Sequence, residues 1–398
     1  MKIVGIVTEY NPFHKGHKYQ IDKIRELYGD DTAVVCVMSG DFVQRGEAAV
    51  FSKYARAEAA VSCGADLVLE LPVHVSIGSA ERFAQGAVQI LGEIGVDILA
   101  FGSETGEIEL LERTADVLLT NAFHEAVRMH LESGCSYPTA RSKALGDLMN
   151  GTDATVSPND NLGVEYIKAI KQYGYPITPI AIKRMGAMHD SNYDGEMKSG
   201  SEIREMIHNH IPYYGCVPEK AYEIYKRETE EGRGPVSMSC LETAILSRLR
   251  MLPLHSFSSL ADAAEGLDRK MYTACRTEST VQEIYSAVKS KRYTHARIRR
   301  MVIGAALGVE KEDYSVSCQF ARVLALNVRG AAVIRRVNEK GTFHVLSKPA
   351  AIRELSAQQQ ALFEKTANAH DLYVLAYADP NLRKGEADWK ESPRFLAK

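Results

Sequence analysis

The first half of this 398-residue chain alternates short apolar runs with amphipathic stretches of helical spacing. Five of the apolar runs have the length of strands, and they lie at 2–8, 32–39, 65–73, 96–104 and 175–182. They are continuously apolar, which is typical of strands buried on both faces of a parallel sheet. Helices must then cover both faces of that sheet. The alternation therefore predicts an α/β fold with a Rossmann-like parallel sheet.

The second half of the chain has a different pattern. Residues 219–310 have the spacing of helices, and a strand–helix–strand pattern returns at 320–348. The polar tail from Asp379 is expected to be loosely held. Because the chain is too long for one ordinary domain, we predict two, an α/β domain over residues 1–215 and a mainly α-helical domain over residues 216–398.

Composition excludes several classes of protein. A net charge of −3 excludes a globally basic nucleic-acid-binding protein, although it allows a local basic surface. The seven cysteines are scattered without a C-x-x-C pair, which indicates reduced thiols rather than disulfides or a zinc site. We find neither a signal peptide nor an apolar run that approaches the roughly 20 residues of a membrane helix. A cytoplasmic protein is expected.

The loop after the first strand has the sequence EYNPFHKGH, from Glu9 to His17. His14 and His17 are three residues apart, so they share one helical face and can donate to the same phosphate. The helix start adds unpaired N–H groups and a positive dipole end, and Gly16 lets the backbone approach a ligand. An anion site is indicated. A helix cap with incidental histidines explains the pattern equally well, and metal binding lacks an evident third ligand.

Two further loops follow predicted strands, SGDFVQRGE at 39–47 and FGSETG at 101–106. Because ligands bind at the carboxyl ends of parallel strands, we expect these loops to meet the histidine loop at one edge of the sheet. Gln44 and Arg45 are candidate contacts to a carboxylate or an adenylate, although a polar turn with a solvated arginine is the simpler interpretation.

A late stretch, KSGSEIR at 198–204, has the form of a helix start. Ser199 and Glu202 match a capping box, and the same N–H groups can bind phosphate. Ser199, Ser201 and Arg204 are therefore candidate phosphate contacts, with Arg204 supplying a positive charge.

Taken together, these motifs resemble the bacterial tRNA(Met) cytidine acetate ligase family, within the nucleotidyltransferase superfamily. The matching stretches are GIVTEYNPFHKGH, SGDFVQRGE, FGSE, SPNDNLGVEYIKAI, IKRMGAMHD and KRYTHARIRR. The resemblance implies a nucleotidyltransferase-type α/β domain followed by a mainly helical domain. It also implies that ATP activates acetate as acetyl-adenylate with release of pyrophosphate. The acetyl group would then pass to N4 of the wobble cytidine of elongator tRNA(Met), with release of AMP.

The resemblance also implies roles for single residues. His14 and His17 would be catalytic, on the phosphates. The proposed ATP contacts form one continuous stretch: Val7, Thr8, Glu9, Tyr10, Asn11, Pro12, Phe13, His14, Lys15, Gly16, His17, Lys18, Tyr19 and Gln20. Magnesium would accompany the triphosphate, and no protein ligand for it is predicted.

Three positions outside this stretch would also contact ATP. Gly102 would let the nucleotide approach the strand end, Asn159 would hydrogen-bond it, and Arg184 would add a cation. The family pattern is P-N-N-I-L-G, whereas residues 158–163 read PNDNLG. The amide contact therefore falls on either Asn159 or Asn161. Gly200 also departs from the family, which more usually has a small residue with a β-carbon there.

The segment KSKRYTHARIRR at 289–300 is basic and contains no acid. Its six cations are Lys289, Lys291, Arg292, Arg297, Arg299 and Arg300. Such a run is usually a solvated face. Clustered cations with interleaved aromatic residues also suit an RNA backbone and its bases, and we predict contact with tRNA here.

Two other functions stay open. A nucleotidyltransferase that makes a small nucleotide product without RNA would turn over without tRNA and tolerate charge reversal at Arg297 and Arg299. A non-catalytic RNA-binding or nucleotide-sensing protein would bind ATP without releasing pyrophosphate. The preference for acetate comes from the resemblance alone, and the sequence specifies neither the tRNA nor the oligomeric state.

Overall fold

The computed structural model describes residues 1–149, 157–184, 197–263, 266–290, 293–341 and 343–397. Within these ranges the strands are Ile3–Thr8 (β1), Ala33–Ser39 (β2), Phe42–Val43 (β3), Glu47–Ala48 (β4), Leu67–Leu71 (β5), Ile98–Ser103 (β6), Thr178–Lys183 (β7), Phe320–Leu326 (β8), His344–Leu346 (β9) and Arg394–Phe395 (β10).

The helices of the first half are Lys15–Tyr28 (α1), Lys53–Ser62 (α2), Val73–Ser76 (α3), Ala80–Ile94 (α4), Ile108–Leu118 (α5), Asn121–Glu132 (α6), Tyr137–Leu148 (α7), Pro158–Tyr173 (α8) and Gly200–His208 (α9). Those of the second half are Glu219–Glu230 (α10), Glu242–Met251 (α11), Leu254–Ser258 (α12), Leu267–Thr277 (α13), Val281–Val288 (α14), His295–Leu307 (α15), Val328–Lys340 (α16), Ala357–Tyr373 (α17) and Ala387–Lys390 (α18). Short 3-10 helices lie at Tyr214–Cys216, Met238–Leu241, Lys311–Ser315, Pro349–Glu354, Val374–Ala376 and Pro380–Leu382.

The main sheet has the strand order β10-β8-β5-β2-β1-β6-β7, with β9 also paired to β8. Strands β5, β2, β1, β6 and β7 are mutually parallel. The chain passes from β1 outward to β2 and β5, and then returns to the other side of β1 at β6. The strand order therefore reverses between β1 and β6, which is where such sheets bind ligands. The predicted parallel α/β sheet is confirmed.

Helices cover both faces of this sheet. Alternate residues of a strand enter opposite clusters, so Ile3 packs with α4 and α8 while Val4 packs with α1 and α2. Both residues are fully buried. The continuous apolar runs of the sequence are explained by this burial on two sides.

The second half of the chain is mainly helical, as predicted, but it also adds to the sheet. Strand β8 pairs antiparallel with β5, and β9 and β10 pair parallel with β8. Helices α11 to α15 and α17 form a separate apolar cluster that includes Phe42 and Ala48 of the first half. The domain boundary after residue 215 stays a prediction. No helix of the described ranges has both the length and the apolar character to cross a membrane.

The expectation that the tail from Asp379 is loosely held is wrong. Strand β10 pairs with β8, and Asp388 on α18 is only 1% exposed. The Asp388 carboxylate lies 2.5 Å from Nζ of Lys53 and 2.7 Å from Nη1 of Arg322. A polar composition suggested exposure, whereas in the fold the charge is buried against two cations.

Two helical glycines provide a test of how tightly α16 packs at the end of β8. A Cβ added to Gly330 would lie 2.0 Å from the carbonyl oxygen of Asp66, whereas one added to Gly146 in α7 would meet nothing within 4 Å. We expect Gly330→Ala to lower the free energy of unfolding by about 1–3 kcal/mol because α16 must shift. Gly146→Ala should raise it by about 0.5–1 kcal/mol because alanine favours a helix interior. Urea unfolding measures both, and equal effects of the same sign would contradict this packing.

Candidate active site

The loops that follow β1 and β2 meet at the carboxyl edge of the sheet. The N–H of Gln44 donates to Oε1 of Glu9 at 3.0 Å, and the N–H of Val50 donates to Oδ1 of Asn11 at 2.8 Å. SGDFVQRGE folds as the β3–β4 hairpin, and we refer to residues 39–49 as the hairpin loop. The predicted meeting of these two loops is confirmed.

Arg56 on α2 fixes both loops, and sequence analysis did not single it out. Its buried guanidinium donates to the carbonyl oxygens of Glu9 at 2.5 Å and Ser39 at 3.1 Å, and to that of Gly40. One cation therefore holds the backbone at the ends of two neighbouring strands. The one available sequence signal was an arginine in a helix that is otherwise rich in alanine.

Aromatic packing holds the turn of EYNPFHKGH. Tyr10 has a left-handed backbone with φ of 45°, which is uncommon for a non-glycine residue. Its buried ring packs edge-on against Phe13 at 4.8 Å and against His17 at 4.7 Å. The N–H of Phe13 donates to the hydroxyl of Tyr225 on α10 at 2.9 Å. The side chains of Tyr10 and Phe13 thus lie in the core, where they support the turn.

His14 and His17 together cap the start of α1. The N–H of Gly16 donates to Nδ1 of His14 at 3.0 Å, and the N–H of His14 donates to Nδ1 of His17 at 3.3 Å. The two rings stack with centroids 3.8 Å apart. A ring nitrogen that accepts a hydrogen bond carries no proton, so in each neutral ring the proton is on Nε2. The helix cap is confirmed, and it leaves two Nε2–H donors for an anion.

The surroundings keep both histidines neutral. Burial, with Arg184 and Arg204 nearby, lowers the pKa of His14 to about 4. Burial, followed by His14 and Arg184, lowers the pKa of His17 well below its ordinary value. At neutral pH the pair donates hydrogen bonds without adding charge, while Arg184 and Arg204 add positive charge beside the rings. Gly16 has no room for a side chain, because a Cβ there would lie 2.8 Å from Cε1 of His14.

The start of α9 lies against this turn. Nη1 of Arg204 donates to the carbonyl oxygen of Asn11 at 2.7 Å, and its Nη2 donates to the hydroxyl of Ser201 at 3.1 Å. A Cβ on Gly200 would lie 3.3 Å from the same Asn11 oxygen and 3.8 Å from Cδ2 of His14. The KSGSEIR and HKGH stretches are therefore neighbours, and glycine at position 200 lets them approach.

The predicted capping box of α9 is confirmed. The N–H of Glu202 donates to the hydroxyl of Ser199 at 3.3 Å, and the N–H of Ser199 donates to Oε2 of Glu202 at 2.8 Å. This box occupies some of the groups that would bind phosphate. The phosphate contacts of Ser199, Ser201 and Arg204 stay predictions.

Asp160, which sequence analysis also missed, holds the FGSETG loop. Its buried carboxylate accepts from the N–H groups of Glu104 at 3.2 Å and Thr105 at 3.3 Å, and from the hydroxyl of Ser103. Its position in PNDNLG is one at which the chain departs from the family pattern, since asparagine is usual there. That departure was the signal that could have identified it.

The two candidate asparagines have different partners. Nδ2 of Asn159 donates to Glu104 on the FGSETG loop, whereas Oδ1 of Asn161 accepts from Nη1 of Arg141 on α7 at 2.8 Å. Asn159 is therefore the one attached to a loop of the candidate site. The contact of either asparagine with ATP stays a prediction.

Gly102 and Arg184 are also neighbours at this edge. A Cβ on Gly102 would lie 3.3 Å from Cγ of Arg184, so the glycine gives room to the arginine side chain. The N–H of Arg184 donates to the carbonyl oxygen of Ser103 at 2.8 Å, which continues the pairing of β6 and β7. The approach of a nucleotide at Gly102 stays a prediction.

The remaining candidates lie on β1, α1 and the hairpin loop. Gln20 donates to the carbonyl oxygen of Ala100 at 3.2 Å, and Lys18 forms an ion pair with Asp22. The other positions in the stretch are on or beside β1 and the first turn of α1: Val7, Thr8, Pro12, Lys15 and Tyr19. Their contacts with ATP stay predictions.

Gln44 and Arg45 differ in exposure. Nε2 of Gln44 donates to the carbonyl oxygen of Gly78 at 3.1 Å, so this amide has a structural partner. Arg45 is exposed beside Glu9. Burial raises the pKa of Glu9, while Arg204, Arg45 and Arg56 oppose that rise. Cations thus surround the one carboxylate of this turn.

The basic segment is only partly described. Four of its cations are described, Lys289, Arg297, Arg299 and Arg300, whereas Lys291 and Arg292 lie outside the described residues. Each of the four donates to an acceptor of the protein. The described part of the segment therefore presents fewer free hydrogen-bond donors than its sequence indicates.

Acids from distant parts of the chain meet two of these arginines. Arg299 forms an ion pair with Glu47 of the hairpin loop, and Arg300 forms one with Asp262 at 3.0 Å. A Cβ on Gly46 would lie 2.6 Å from the backbone of Arg299, so α15 packs directly on the hairpin loop. Sequence analysis saw no acid within the segment, since these partners are remote in sequence. Its contact with tRNA stays a prediction.

Metal binding has no support from side-chain clusters. In the part of the chain that the structure describes, no three His, Cys, Asp or Glu residues are close enough to hold a metal ion. The stacked histidines also accept backbone hydrogen bonds through Nδ1, which leaves one nitrogen each for any ligand.

Comparison with known proteins identifies the family. The model of the HIGH Nucleotidyl Transferase family matches residues 1–388. A relative from Acetivibrio thermocellus, named tRNA(Met) cytidine acetate ligase, is 34% identical over an alignment of 412 positions. The alignment covers 98% of this chain and 99% of the relative. The chain belongs to the tRNA(Met) cytidine acetate ligase family. The sequence resemblance is confirmed.

Further comparisons agree with this family. A tRNA(Met) cytidine acetate ligase from Thermoanaerobacter sp. is 36% identical over 396 residues, which cover 96% of this chain and 97% of the relative. The crystal structure of apo Thermotoga maritima TmcAL has a TM-score of 0.92 and 32% identity, and it covers 100% of both chains. A structure of the same protein bound with alpha-thio ATP has a TM-score of 0.91 at 32% identity, again covering 100% of both chains. The nucleotidyltransferase-type fold is therefore confirmed.

The lowered pKa of His14 makes the stability of the fold depend on pH. In the unfolded chain histidine binds a proton near pH 6.5, whereas folded His14 does so near pH 4. The contribution of His14 to the free energy of unfolding is full above pH 6.5. It is lost as the pH falls toward 4, because in this range only the unfolded chain binds the proton. As the pH falls from 7 to 5, we expect proton binding to His14 in the unfolded chain to lower the free energy of unfolding by about 2 kcal/mol. Urea unfolding at the two pH values measures this drop.

Two variants control that measurement. His14→Gln should reduce the drop by about 2 kcal/mol, while His124→Gln, whose side chain is exposed on α6, should retain it. An unchanged drop in His14→Gln would show that His14 is not held neutral in the fold.

Proposed function

We propose that this protein is an ATP-dependent ligase that activates acetate and transfers the acetyl group to N4 of the wobble cytidine of elongator tRNA(Met). The observation that carries the proposal is the pair of neutral, stacked histidines at the start of α1, flanked by Arg184 and Arg204. The names of the relatives and the ATP analogue bound to a structural neighbour support it. A tRNA substrate also accords with the expected location in the cytoplasm.

In the first step ATP lies across the strand ends where the sheet order reverses. An acetate oxygen attacks the α-phosphorus, the bond to pyrophosphate breaks, and acetyl-adenylate forms. Negative charge shifts onto the phosphate oxygens during this displacement, and the two Nε2–H groups donate to them. Because the histidines are fixed by backbone hydrogen bonds, they need not reorganise as the charge develops.

In the second step the N4 amine of cytidine attacks the acetyl carbonyl carbon. The bond from that carbon to the adenylate oxygen breaks, AMP leaves, and the amine loses a proton. No covalent bond to the enzyme is needed, so the protein contributes position and electrostatics. Magnesium enters with the triphosphate as part of the substrate.

Each group of candidate contacts has a place in this scheme. We assign the nucleotide to residues 7–20 with Gly102, Asn159 and Arg184, and the phosphates also to the start of α9. Gln44 and Arg45 on the hairpin loop are assigned to acetate and adenylate. Arg45 is the better supported of the two, because it is exposed and Gln44 already has a partner in Gly78.

Helix α15 is the proposed approach of the RNA. It packs on the hairpin loop at Gly46, so an RNA that presents a base to the strand ends would pass over its first turn. Arg297 lies there with its guanidinium 5.0 Å from the ring centre of Tyr293. Because Tyr293 is buried, its ring holds the guanidinium in place, and the half-buried Arg297 is proposed to contact a phosphate of the RNA backbone.

The activation step is tested by exchange of labelled pyrophosphate into ATP. The wild type should exchange only when acetate is present. His17→Gln should reduce the exchange rate by about 10²–10³, because a donor to the developing charge is lost. His124→Gln should exchange at the wild-type rate. Exchange that does not need acetate would favour a nucleotidyltransferase with a small-molecule product, and absence of exchange in folded wild type would contradict the proposal.

The acceptor is tested with ATP, labelled acetate and total tRNA. The label should appear in N4-acetylcytidine of elongator tRNA(Met).

Arg297→Ala should weaken tRNA binding and lower the slope of log K against log salt by about 1, because one phosphate contact is lost. Arg128→Ala, an exposed arginine on α6, is the matched control. An unchanged slope in Arg297→Ala would show that the RNA binds elsewhere. If no nucleoside carries the label, cytidine is not the acceptor of the acetyl group.

A further inference from the structure

Helix α17, near the end of the chain, holds both ends of the hairpin loop. Nδ1 of His370 lies 2.7 Å from Oδ2 of Asp41, and both side chains are buried. The hydroxyl of Tyr373, one turn further on, donates to the carbonyl oxygen of Ala49 at 2.8 Å. These contacts join residues more than 300 positions apart in sequence.

The buried carboxylate of Asp388 adds a second connection from the tail. It bridges Lys53 and Arg322 and also accepts from the hydroxyl of Tyr54 at 2.8 Å. Burial opposes its ionisation, but Lys53 and Arg322 together hold the pKa of Asp388 below its usual value. The tail therefore inserts a negative charge between the first turn of α2 and strand β8.

Lys53 connects Asp388 to the hairpin loop. Its Nζ donates to Oε1 of Glu70 at 2.7 Å, and its N–H donates to Oδ1 of Asp41 at 2.8 Å. A Cβ on Gly40 would lie 2.7 Å from the same oxygen of Glu70, so Glu70 packs directly beneath the loop. Glu70 thus shares the ammonium of Lys53 with Asp388, whereas Asp41 is held by the backbone N–H of Lys53 and by His370.

The energetics favour positioning over stability as the role of this network. Burying an ion pair costs desolvation that is often not recovered, and well-packed apolar residues frequently stabilise a fold equally well. A buried charge does, however, fix the direction of its partners. Asp41 lies three residues before Gln44 and four before Arg45, which are the candidate acetate and adenylate contacts.

We propose that Asp388 and His370 are positioning residues that hold the hairpin loop in the geometry required for acetate binding. Asp388 acts through Lys53 and Glu70, and His370 acts through Asp41. The identity of the ligand rests on the function proposed above, whereas the ordering of the loop does not. The C-terminal tail is thereby part of the candidate active site without contacting a substrate.

The experiment uses full-length Asp388→Asn and His370→Gln, with Lys390→Ala as control. Lys390 lies on α18 beside Asp388, but its side chain is 70% exposed. Hydrogen exchange is measured by mass spectrometry for the hairpin loop and for α1. Both test variants should exchange about tenfold or more faster in the loop, with α1 unchanged, because only local order is lost. The control should match the wild type.

A kinetic measurement separates positioning from general destabilisation. In acetate-dependent pyrophosphate exchange, the test variants should raise KM for acetate about tenfold while KM for ATP stays within about twofold, because the misplaced loop faces acetate. Equal acceleration of exchange in the loop and α1, or no acceleration in either, would overturn the proposal.

Failure of the proposed function, and failure of a variant to fold, can both be distinguished from failure of this proposal. If the wild type shows no acetate-dependent exchange, the proposed function fails, and hydrogen exchange alone decides whether the loop is held by the tail. If Asp388→Asn does not fold, His370→Gln decides by the same two measurements, because it leaves the ion pairs of Asp388 intact.

Discussion

The guanidinium of Arg56 is the contact on which the geometry of the candidate site depends. It binds the backbone carbonyl groups that end β1 and begin the hairpin loop after β2, and its Nε donates to the carbonyl oxygen of Phe51 at 2.9 Å. Hydrogen bonds from a charged donor are stronger than neutral ones, and burial away from water strengthens them further. Leaving such a group without acceptors would cost several kcal/mol, so the two loops and the arginine must be placed together. The turn that carries the histidines then starts from a fixed position.

The histidine turn uses the same atoms for folding and for its proposed chemistry. A serine or aspartate is the usual cap of a helix, and here a pair of imidazole rings performs that role through Nδ1. Because capping decides which nitrogen carries the proton, the fold itself presents both Nε2–H groups. Burial keeps the rings neutral, with help from nearby cations, and Arg184 and Arg204 supply positive charge that attracts phosphate. No separate device is needed to orient the donors.

Sequence reasoning predicted the sheet because its strands carry a local pattern, and the apolar runs at 32–39 and 96–104 match β2 and β6 to within two residues at each end. It failed where a side chain has a partner remote in the chain. Arg56 and Asp160 bind the backbone of loops that no periodicity connects to them. The basic segment appeared free of acids, although Glu47 lies against it in the fold. Motif resemblance to the family succeeded because whole loops, rather than single contacts, were compared.

The packing of β8 against β5 has a consequence for how the enzyme is assembled during translation. The central parallel strands are all synthesised within the first half of the chain, before β8 and before the segment that carries Asp388. Until then one edge of the sheet lacks its neighbour, and the ammonium of Lys53 has its partner Glu70 but not Asp388. The histidine turn, with its contact to Tyr225, can therefore form before β8 is made, but the hairpin loop gains its contacts with α17 only after that helix has been made. The order of synthesis thus delays a finished acid-activating site until the helices proposed to receive the RNA have also been made.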